Sequence, residues 1–388
     1  MADKKNHLTC TLLFSTIIAI FGNSFLYGYN IGAVNNPAEV VRRFYARILL
    51  ERAGLLHHHD DESINNNMTT LKTTSSPVTV ASFINSSSLS GNESITDEKE
   101  IEKEVEEDPV LELLWAITVA IFVLFGMFGA FGSSKIADHF GRKKGMILIT
   151  FFMFIAGILG AIPKAINSFE VIIVHRAFVG LHCGLSMSLV SLYIAEISPK
   201  QIRGALGACH QLFITIGILS SNIIGVRQLT GNDRLWPFVF AFNAFPSFVC
   251  LVCMPFCPES PRFLLINKKQ EADARKAMQR LRGYDDMEDE MDEMKIEASK
   301  MQSVKAFSIK QLLVTPGLRL PTFIATMSMA AQQLSGINAV MSYSSFMFKN
   351  AGVPDNIIQW VDNHSAFAVI GIISMHTYVI GFAIGLGM

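Results

Sequence analysis

The stretch LLWAITVAIFVLFGMFGAFGSSKI, residues 113–136, carries one charged side chain, Lys135, close to its end. A helix needs about 20 apolar residues to cross the hydrocarbon core of a bilayer, so this stretch is long enough to span a membrane. Similar apolar blocks, separated by charged clusters, occupy residues 8–26, 145–166, 171–195, 205–226, 237–257, 318–348 and 366–388. The pattern predicts an all-α polytopic membrane protein with about eight spans.

The composition excludes several classes of protein. Charged residues are 17% of the chain, below the roughly 25% of ordinary soluble domains. The net charge of -1 provides no field that would attract nucleic acid. The sequence shows no catalytic triad, phosphate-binding loop or set of metal ligands, and the histidines at 57–59 stand in a polar run without a partner ligand. We therefore expect neither an enzyme nor a bound cofactor or metal.

The longest polar segment, residues 41–110, is rich in Ser, Thr and Asn and ends in an acidic run. Such a composition cannot bury enough apolar surface to order itself, so we expect an irregular loop. Three Asn-x-Ser/Thr sequons lie in it, at Asn67, Asn85 and Asn92. Three sequons in one long loop predict an extracellular, glycosylated segment.

Basic residues in the short connectors give the topology. One side of the predicted membrane collects most of them, namely Lys135, Arg142, Lys143, Lys144, Lys200 and Arg203. The positive-inside rule places this side in the cytosol, which agrees with the sequon loop lying outside. Lys4 and Lys5 precede the first span, so we expect a cytosolic N-terminus and a location in the plasma membrane.

The segment AQQLSGIN, residues 331–338, provides the first functional signal. It places three carboxamides, Gln332, Gln333 and Asn338, inside the apolar block 318–348. An amide both donates and accepts hydrogen bonds, which suits a neutral polyhydroxyl ligand. Hydrogen bonding between helices is the alternative explanation. Three amides within seven residues, next to Gly336, favour a substrate path.

The apolar blocks divide the chain into three parts. Residues 1–257 form a predicted six-span bundle, residues 258–316 a cytosolic linker with helices at 268–282 and 287–301, and residues 317–388 a further partial bundle. Tyr27, Tyr29 and Asn30 stand at the outer end of the first span, and tyrosine suits the membrane interface, where its hydroxyl is wet. Glycines recur along the spans and predict close helix packing, as at Gly126, Gly129, Gly132, Gly157, Gly160, Gly180 and Gly184.

Six short motifs identify a family. In chain order they are GYNIG (28–32), DHFGRK (138–143), EISP with RGALG (196–207), HQL (210–212), PESPR (258–262) and QQLSGIN (332–338). In this order and spacing they resemble the facilitative hexose transporters, the sugar-porter branch of the major facilitator superfamily. The resemblance implies the major facilitator fold, facilitated transport of glucose or fructose by alternating access, and contact with hexose and membrane lipid.

The resemblance also implies roles for individual residues. Side chains expected to bind the sugar are Tyr27, Gln211, Gln332, Gln333 and Asn338. Residues expected to form a cytosolic gating charge network are Asp138, Arg142, Lys143, Glu196, Arg203, Glu259 and Arg262. Ion pairs of this kind would hold one half of the transporter against the other in one state and break in the next.

One departure from the family pattern affects the expected function. The family has twelve spans in two halves, whereas block 366–388 resembles the tenth span and follows the seventh directly. We therefore expect an incomplete C-terminal bundle and impaired transport by this chain. Two alternatives stay open: a non-transporting member that forms homo- or hetero-oligomers with full-length transporters, and a receptor of the seven-span kind. The receptor needs an external N-terminus, which Lys4 and Lys5 disfavour.

Overall fold

The computed structural model describes residues 8–34, 37–52, 109–226, 229–284, 287–303 and 315–334. Within these residues it is helical and contains no strand. Six segments of the described chain are long and apolar enough to cross a membrane, namely Cys10–Gly32, Pro109–Phe140, Arg142–Ala161, Glu170–Ile197, Arg203–Ile224 and Trp236–Phe256. They correspond to the first six predicted blocks, so the all-α bundle is confirmed.

The first span is a composite helix. It consists of α1 (Cys10–Ala19), a π-helical turn (Ile20–Ser24) and α2 (Phe25–Gly32). Thr9 caps α1 by accepting a hydrogen bond from the Leu12 amide at 3.2 Å. The next elements in chain order are α3 (Ala38–Arg52), α4 (Pro109–Phe140), α5 (Arg142–Ala161), α6 (Pro163–Ile166), α7 (Glu170–Ile197) and α8 (Arg203–Ile224).

The sixth span is also divided. Its pieces are α9 (Trp236–Ala241), α10 (Ala244–Cys253) and a 3-10 turn (Met254–Phe256). The remaining elements are α11 (Pro261–Ile266), α12 (Glu271–Arg282), α13 (Glu288–Ser303) and α14 (Pro316–Leu334). Helix α14 is the part of the predicted seventh span that the structure describes.

Glycine lets α4 and α7 pack backbone against backbone. A Cβ added at Gly180 would collide with the Phe122 carbonyl oxygen, and one at Gly184 with the Gly126 carbonyl oxygen. Span one meets α8 in the same way, because a Cβ at Gly28 would collide with the Ile214 carbonyl. The prediction of close packing from glycine density is confirmed at these crossings.

The prediction that residues 41–110 form an irregular loop is wrong for their first twelve residues, which belong to α3. Val41 and Tyr45 are fully buried there, and the Tyr45 hydroxyl lies 3.0 Å from Thr118 Oγ1 on α4. Phe44 packs its ring against Trp236 with centroids 5.1 Å apart. An amphipathic helix covering the ends of the spans supplies the burial that the composition of the whole segment lacks.

Tyr29 was also predicted wrongly. Its hydroxyl is expected at a wet interface, but its side chain is fully buried. Its hydroxyl donates to the Val239 carbonyl at 2.7 Å. A carbonyl of the sixth span accepts this hydrogen bond in place of water, so Tyr29 links the first and sixth spans.

The two predicted helices of the linker are confirmed as α12 and α13. They enclose a methionine-rich core that includes Met278, Met291 and Met294. Lys295 donates to Glu271 at 2.6 Å, and this hydrogen bond lowers the pKa of Glu271 and raises the pKa of Lys295.

Hydrogen bonds also fasten these helices to the bundle. Arg282 Nη1 donates to the Ile197 carbonyl at 2.8 Å, and the Thr9 hydroxyl donates to the Leu281 carbonyl at 2.7 Å. Both contacts lie at the end of the bundle that carries Arg142, Lys143, Lys200 and Arg203. We call this the basic end, and it is the side predicted to be cytosolic.

Candidate functional site

Two of the predicted sugar-binding residues, Tyr27 and Gln211, lie on spans that pack directly against each other. Tyr27 on α2 is half-buried and packs against the pair formed by Ile214 and Ile218 on α8. Gln211, one turn before Ile214, has an exposed side chain. An exposed amide on a spanning helix has neither water nor lipid hydroxyls to bind at mid-depth, so its exposure favours a polar ligand or a covering segment.

For the other predicted sugar-binding residues, the structure describes only part of the backbone. Helix α14 includes the backbone of Gln332 and Gln333. Their side chains, and Asn338 altogether, lie outside what the structure describes. Their role stays a prediction, as does glycosylation at Asn67, Asn85 and Asn92, which also lie outside the described residues.

A pair of buried amides joins the first span to the sixth, and the sequence alone did not predict this contact. Asn30 and Asn243 are both fully buried. Asn30 donates to Asn243 Oδ1 at 2.9 Å, and Asn243 donates back to Asn30 Oδ1 at 3.0 Å. Each amide also donates to a carbonyl of its own span, of Leu26 and of Phe240 respectively. Asn30 lies in the last turn of α2, at the end of the first span as expected, and its amide is paired by a complementary amide in the break of span six.

We expect Asn243→Leu to lower the free energy of unfolding by about 1–3 kcal/mol, because it leaves the buried Asn30 amide without its partner. Denaturant unfolding in detergent, followed by helical circular dichroism, measures the change. The double variant Asn30→Leu with Asn243→Leu removes both amides and is expected to recover part of the loss. A single variant as stable as the parent would show that the pair is energetically neutral.

The centre of the predicted charge network is present at the basic end. Arg142 forms a forked pair with Glu196, with Nη2–Oε1 at 2.8 Å and Nε–Oε2 at 2.9 Å. Both side chains are about one-tenth exposed, at 9% and 10%. The Arg142 guanidinium also donates to the Ala137 carbonyl at 3.1 Å and lies 5.0 Å from the Phe263 ring centroid. Asp138 is a weaker partner, 3.8 Å away and 65% exposed.

Glu259 caps the start of α5. Its Oε1 atom accepts hydrogen bonds from the backbone amides of Arg142 at 3.1 Å, Lys143 at 2.9 Å and Ser260 at 2.9 Å. The first amides of a helix lack partners within it, and the positive end of its dipole favours a carboxylate. Gly141 makes room for this cap, since its φ is +90° and an added Cβ would lie 2.7 Å from Glu259 Oε2.

Three other members of the predicted network, Lys143, Arg262 and Arg203, do not take part in the fork between Arg142 and Glu196. Lys143 donates to the Pro255 carbonyl at 2.6 Å and pairs with no carboxylate in the described chain. Arg262 is half-buried in the first turn of α11. Arg203 is half-buried at the start of α8, and its Nε has no hydrogen-bond partner among the described residues. The structure thus gathers Asp138, Arg142, Lys143, Glu196 and Glu259, and leaves Arg203 apart from them.

A buried arginine was missed by the sequence analysis. Arg176 lies within α7 at 2% exposure, with its guanidinium 4.4 Å from the Phe122 ring centroid. One of its terminal nitrogens donates to the Asn30 carbonyl at 3.4 Å. A cation inside the apolar block 171–195 is costly, and that cost was the signal that could have identified it.

His182 is a packed residue of α7. Its side chain is fully buried. The ring Nδ1 lies 3.0 Å from the Ile149 carbonyl on α5, to which it donates. His175 makes the same kind of bond to the Ala156 carbonyl at 2.7 Å. The two histidines join α7 to α5.

Comparison with known proteins agrees with this architecture. The fold of the chain is similar to a partially occluded inward-open structure of the xylose transporter XylE from E. coli, with a TM-score of 0.63 at 18% identity, covering 96% of this chain and 71% of that one. A structure of XylE described as a proton:xylose symporter of the major facilitator superfamily gives a TM-score of 0.56. These likenesses support the major facilitator fold.

Curated relatives add sequence evidence. Facilitated glucose transporter member 3 of solute carrier family 2 from Gallus gallus is 34% identical over 375 residues, which cover 97% of this chain and 65% of that protein. Member 5 from Homo sapiens is 35% identical over 358 residues, which cover 92% and 62% respectively. The chain therefore spans less than two thirds of the length of these relatives.

The relatives are transporters, which confirms the expectation that the chain is not an enzyme and does not favour the receptor alternative. The sequence profile of the family described as sugar (and other) transporter matches residues 15–386, nearly the whole chain. The resemblance drawn from the six motifs is confirmed: the chain belongs to the sugar (and other) transporter family.

Proposed function

We propose that the whole protein moves a hexose, glucose or fructose, across the plasma membrane by facilitated alternating access. The observation that carries the proposal is Gln211, an exposed carboxamide on the fifth span, which packs against the half-buried Tyr27 through Ile214 and Ile218. An amide binds hydroxyl groups as both donor and acceptor. Gln332, Gln333 and Asn338 add further amides to the same proposed site, and transporters built from repeats place their substrate near the bilayer midplane.

The charge network is proposed as the cytosolic gate. Arg142, Glu196 and Glu259 fix the ends of α5, α7 and α11 to one another within one bundle. Arg203 and Arg262 are the members proposed to engage the other half of the transporter. A network is required for this purpose, because exposed ion pairs contribute little singly.

The proposed topology places the N-terminus and residues 258–316 in the cytosol and residues 53–108 outside. Basic residues at one end of the bundle support this orientation. It makes Asn67, Asn85 and Asn92 available for glycosylation. Digestion with an endoglycosidase, which leaves one sugar on each modified asparagine, and then with a protease, followed by mass spectrometry of the peptides, tests all three sites.

Gln211→Leu in the whole protein is expected to weaken hexose binding by about tenfold or more, because the site loses a donor and an acceptor that no water replaces. Uptake of radiolabelled glucose and fructose into proteoliposomes measures it. Ser220→Ala on the same helix is the control, since the Ser220 hydroxyl bonds its own helix at the Ile216 carbonyl. Unchanged uptake and unchanged affinity in the Gln211 variant would remove the observation on which the proposal rests.

The expectation that residues 1–388 transport poorly on their own stays a prediction. The same proteoliposome assay with the purified 388-residue chain measures it directly. Sugar uptake well above that of empty liposomes would contradict it, without affecting the proposed role of Gln211.

A further inference from the structure

The first and fifth spans pack closely, with glycines of each helix against the backbone of the other. A Cβ added at Gly28 on α2 would collide with the Ile214 carbonyl oxygen, and one added at Gly217 on α8 would collide with the Phe25 carbonyl oxygen. Residues three and four positions apart are neighbours on a helix surface, so His210, Ile214 and Gly217 lie on one face of α8. We call this contact between α2 and α8 the glycine seam.

A buried hydrogen bond between side chains crosses the glycine seam. The Ser24 hydroxyl lies 2.6 Å from His210 Nδ1, and the two residues are 1% and 9% exposed. Ser24 is the last residue of the π-helical turn, in which the Phe25 amide donates to the Ile20 carbonyl five residues earlier. A π-helical turn contains one more residue than an α-helical turn, so it changes the direction of the side chains that follow, and such turns are frequent at functional sites.

Gln211 lies at the edge of the same seam. It shares a face of α8 with Ile214 and Ile218, which are three and seven residues further along, and these two residues pack against Tyr27. Successive residues of an α-helix differ in direction by about 100°. His210 is therefore buried in the seam while the side chain of Gln211 is exposed beside it. The rotation of α8 about its own axis determines the direction of both side chains at once.

Glycine contacts alone do not determine this rotation closely. Each contact between backbone atoms is weak and depends little on direction, whereas a hydrogen bond weakens steeply when its angle departs from the preferred range. Lipid chains offer no replacement for such a bond at membrane depth. The bond between Ser24 and His210 therefore restricts the rotation of α8, and with it the direction of Gln211.

We propose that Ser24 and His210 are positioning residues for sugar binding, which hold the fifth span at the rotation that presents Gln211 to the hexose. This inference rests on the proposed function of Gln211. Ser24 and His210 act through Gln211 and do not themselves bind the sugar, because their side chains are buried in the glycine seam. The first span is held from the third span as well, since Thr150 Oγ1 donates to Asn23 Oδ1 in the π-helical turn at 3.2 Å.

Ser24→Ala and His210→Phe in the whole protein are each expected to raise the KM for hexose uptake by about threefold to tenfold, the effect of losing one hydrogen bond. The maximal uptake rate is expected to stay near that of the parent. Uptake into proteoliposomes over a range of sugar concentrations measures both quantities. A purely structural role would lower the number of active molecules, and hence the maximal rate, at an unchanged KM.

His210→Asn is the conservative variant that protects the test from misfolding. Its amide places a nitrogen or an oxygen close to the position of Nδ1, and either atom can bond the Ser24 hydroxyl, since an amide both donates and accepts. It is expected to restore a KM near that of the parent, whereas His210→Phe is not. Thr150→Val is the matched control, because it removes a buried hydrogen bond of the same π-helical turn on the side of the third span. It is expected to lower stability at a parental KM.

A double-mutant cycle tests whether the pair acts through Gln211. In the Gln211→Leu background, Ser24→Ala is expected to raise the KM no further, because the amide that the pair positions is gone. An equal rise in KM with and without Gln211 would overturn the inference. So would a parental KM in both Ser24→Ala and His210→Phe when Gln211→Leu has raised it, and the proposed function would then stand. A parental KM in Gln211→Leu would remove the proposed function and the inference together.

Discussion

Replacing Arg142 by leucine is expected to lower the free energy of unfolding by about 3–5 kcal/mol, the largest effect of any single substitution considered for this chain. The Glu196 carboxylate, 10% exposed, would lose its forked cation and remain buried as an uncompensated charge. The Ala137 carbonyl would lose a donor as well. Removing one member of a buried pair costs far more than the net contribution of the pair itself.

An exposed ion pair of the same bundle provides the control. Lys200 and Glu293 are 2.6 Å apart but 66% and 61% exposed, so Lys200→Leu is expected to cost at most about 1 kcal/mol. The double variant Arg142→Leu with Glu196→Leu is expected to be more stable than Arg142→Leu alone. Thermal and denaturant unfolding in detergent measure all three. Equal losses for Arg142→Leu and Lys200→Leu would show that burial does not determine the effect.

Replacing Gly184 by alanine is expected to destabilise the bundle by about 1–3 kcal/mol, although the same change in a free helix is stabilising by up to about 1 kcal/mol. The sign reverses because the added Cβ would collide with the Gly126 carbonyl oxygen, which belongs to a backbone that cannot rotate away. Helices α4 and α7 would have to separate. That separation would expose the contacts along the longest crossing in the bundle.

Gly204→Ala is the matched substitution. Gly204 lies in the first turn of α8, and an added Cβ there meets no atom within 4 Å. It is expected to leave stability unchanged or to raise it slightly, so the two alanine variants should shift the unfolding midpoint in opposite directions. A Gly184→Ala protein at least as stable as the parent would mean that the crossing is looser than the structure describes.

Long-range sequence patterns predicted the bundle well. Each of the six spans is an apolar block bounded by charge, and this pattern depends on composition more than on precise contacts. Helix α3 was missed because its apolar residues are embedded in a segment whose average composition is polar. Its burial depends on the ends of α4 and the sixth span, which are distant in sequence from Val41 and Tyr45.

The candidate site could be predicted only in part. The motifs indicated Arg142, Glu196 and Glu259 as a group, and the structure brings these residues together at the start of α5. Their role as a gate stays a prediction. The fork between Arg142 and Glu196 could not be derived from spacing, because it depends on how α5 and α7 end in space. The pairing of Asn30 could not be derived for the same reason: its partner Asn243 is 213 residues away, in a break in span six that the sequence does not predict.

During synthesis, the helix of the third span is completed late, because its capping residue Glu259 is made long after the helix itself. The carboxylate that receives the first amides of α5 is 117 residues further along the chain than Arg142. At about 5–20 residues per second, a ribosome needs roughly 6–25 s to reach it. Until then water must satisfy the amides at this end of α5, so the third span settles fully only after the sixth has been made. A slowing of translation between these two points would prolong the period in which the nascent bundle is open to quality control.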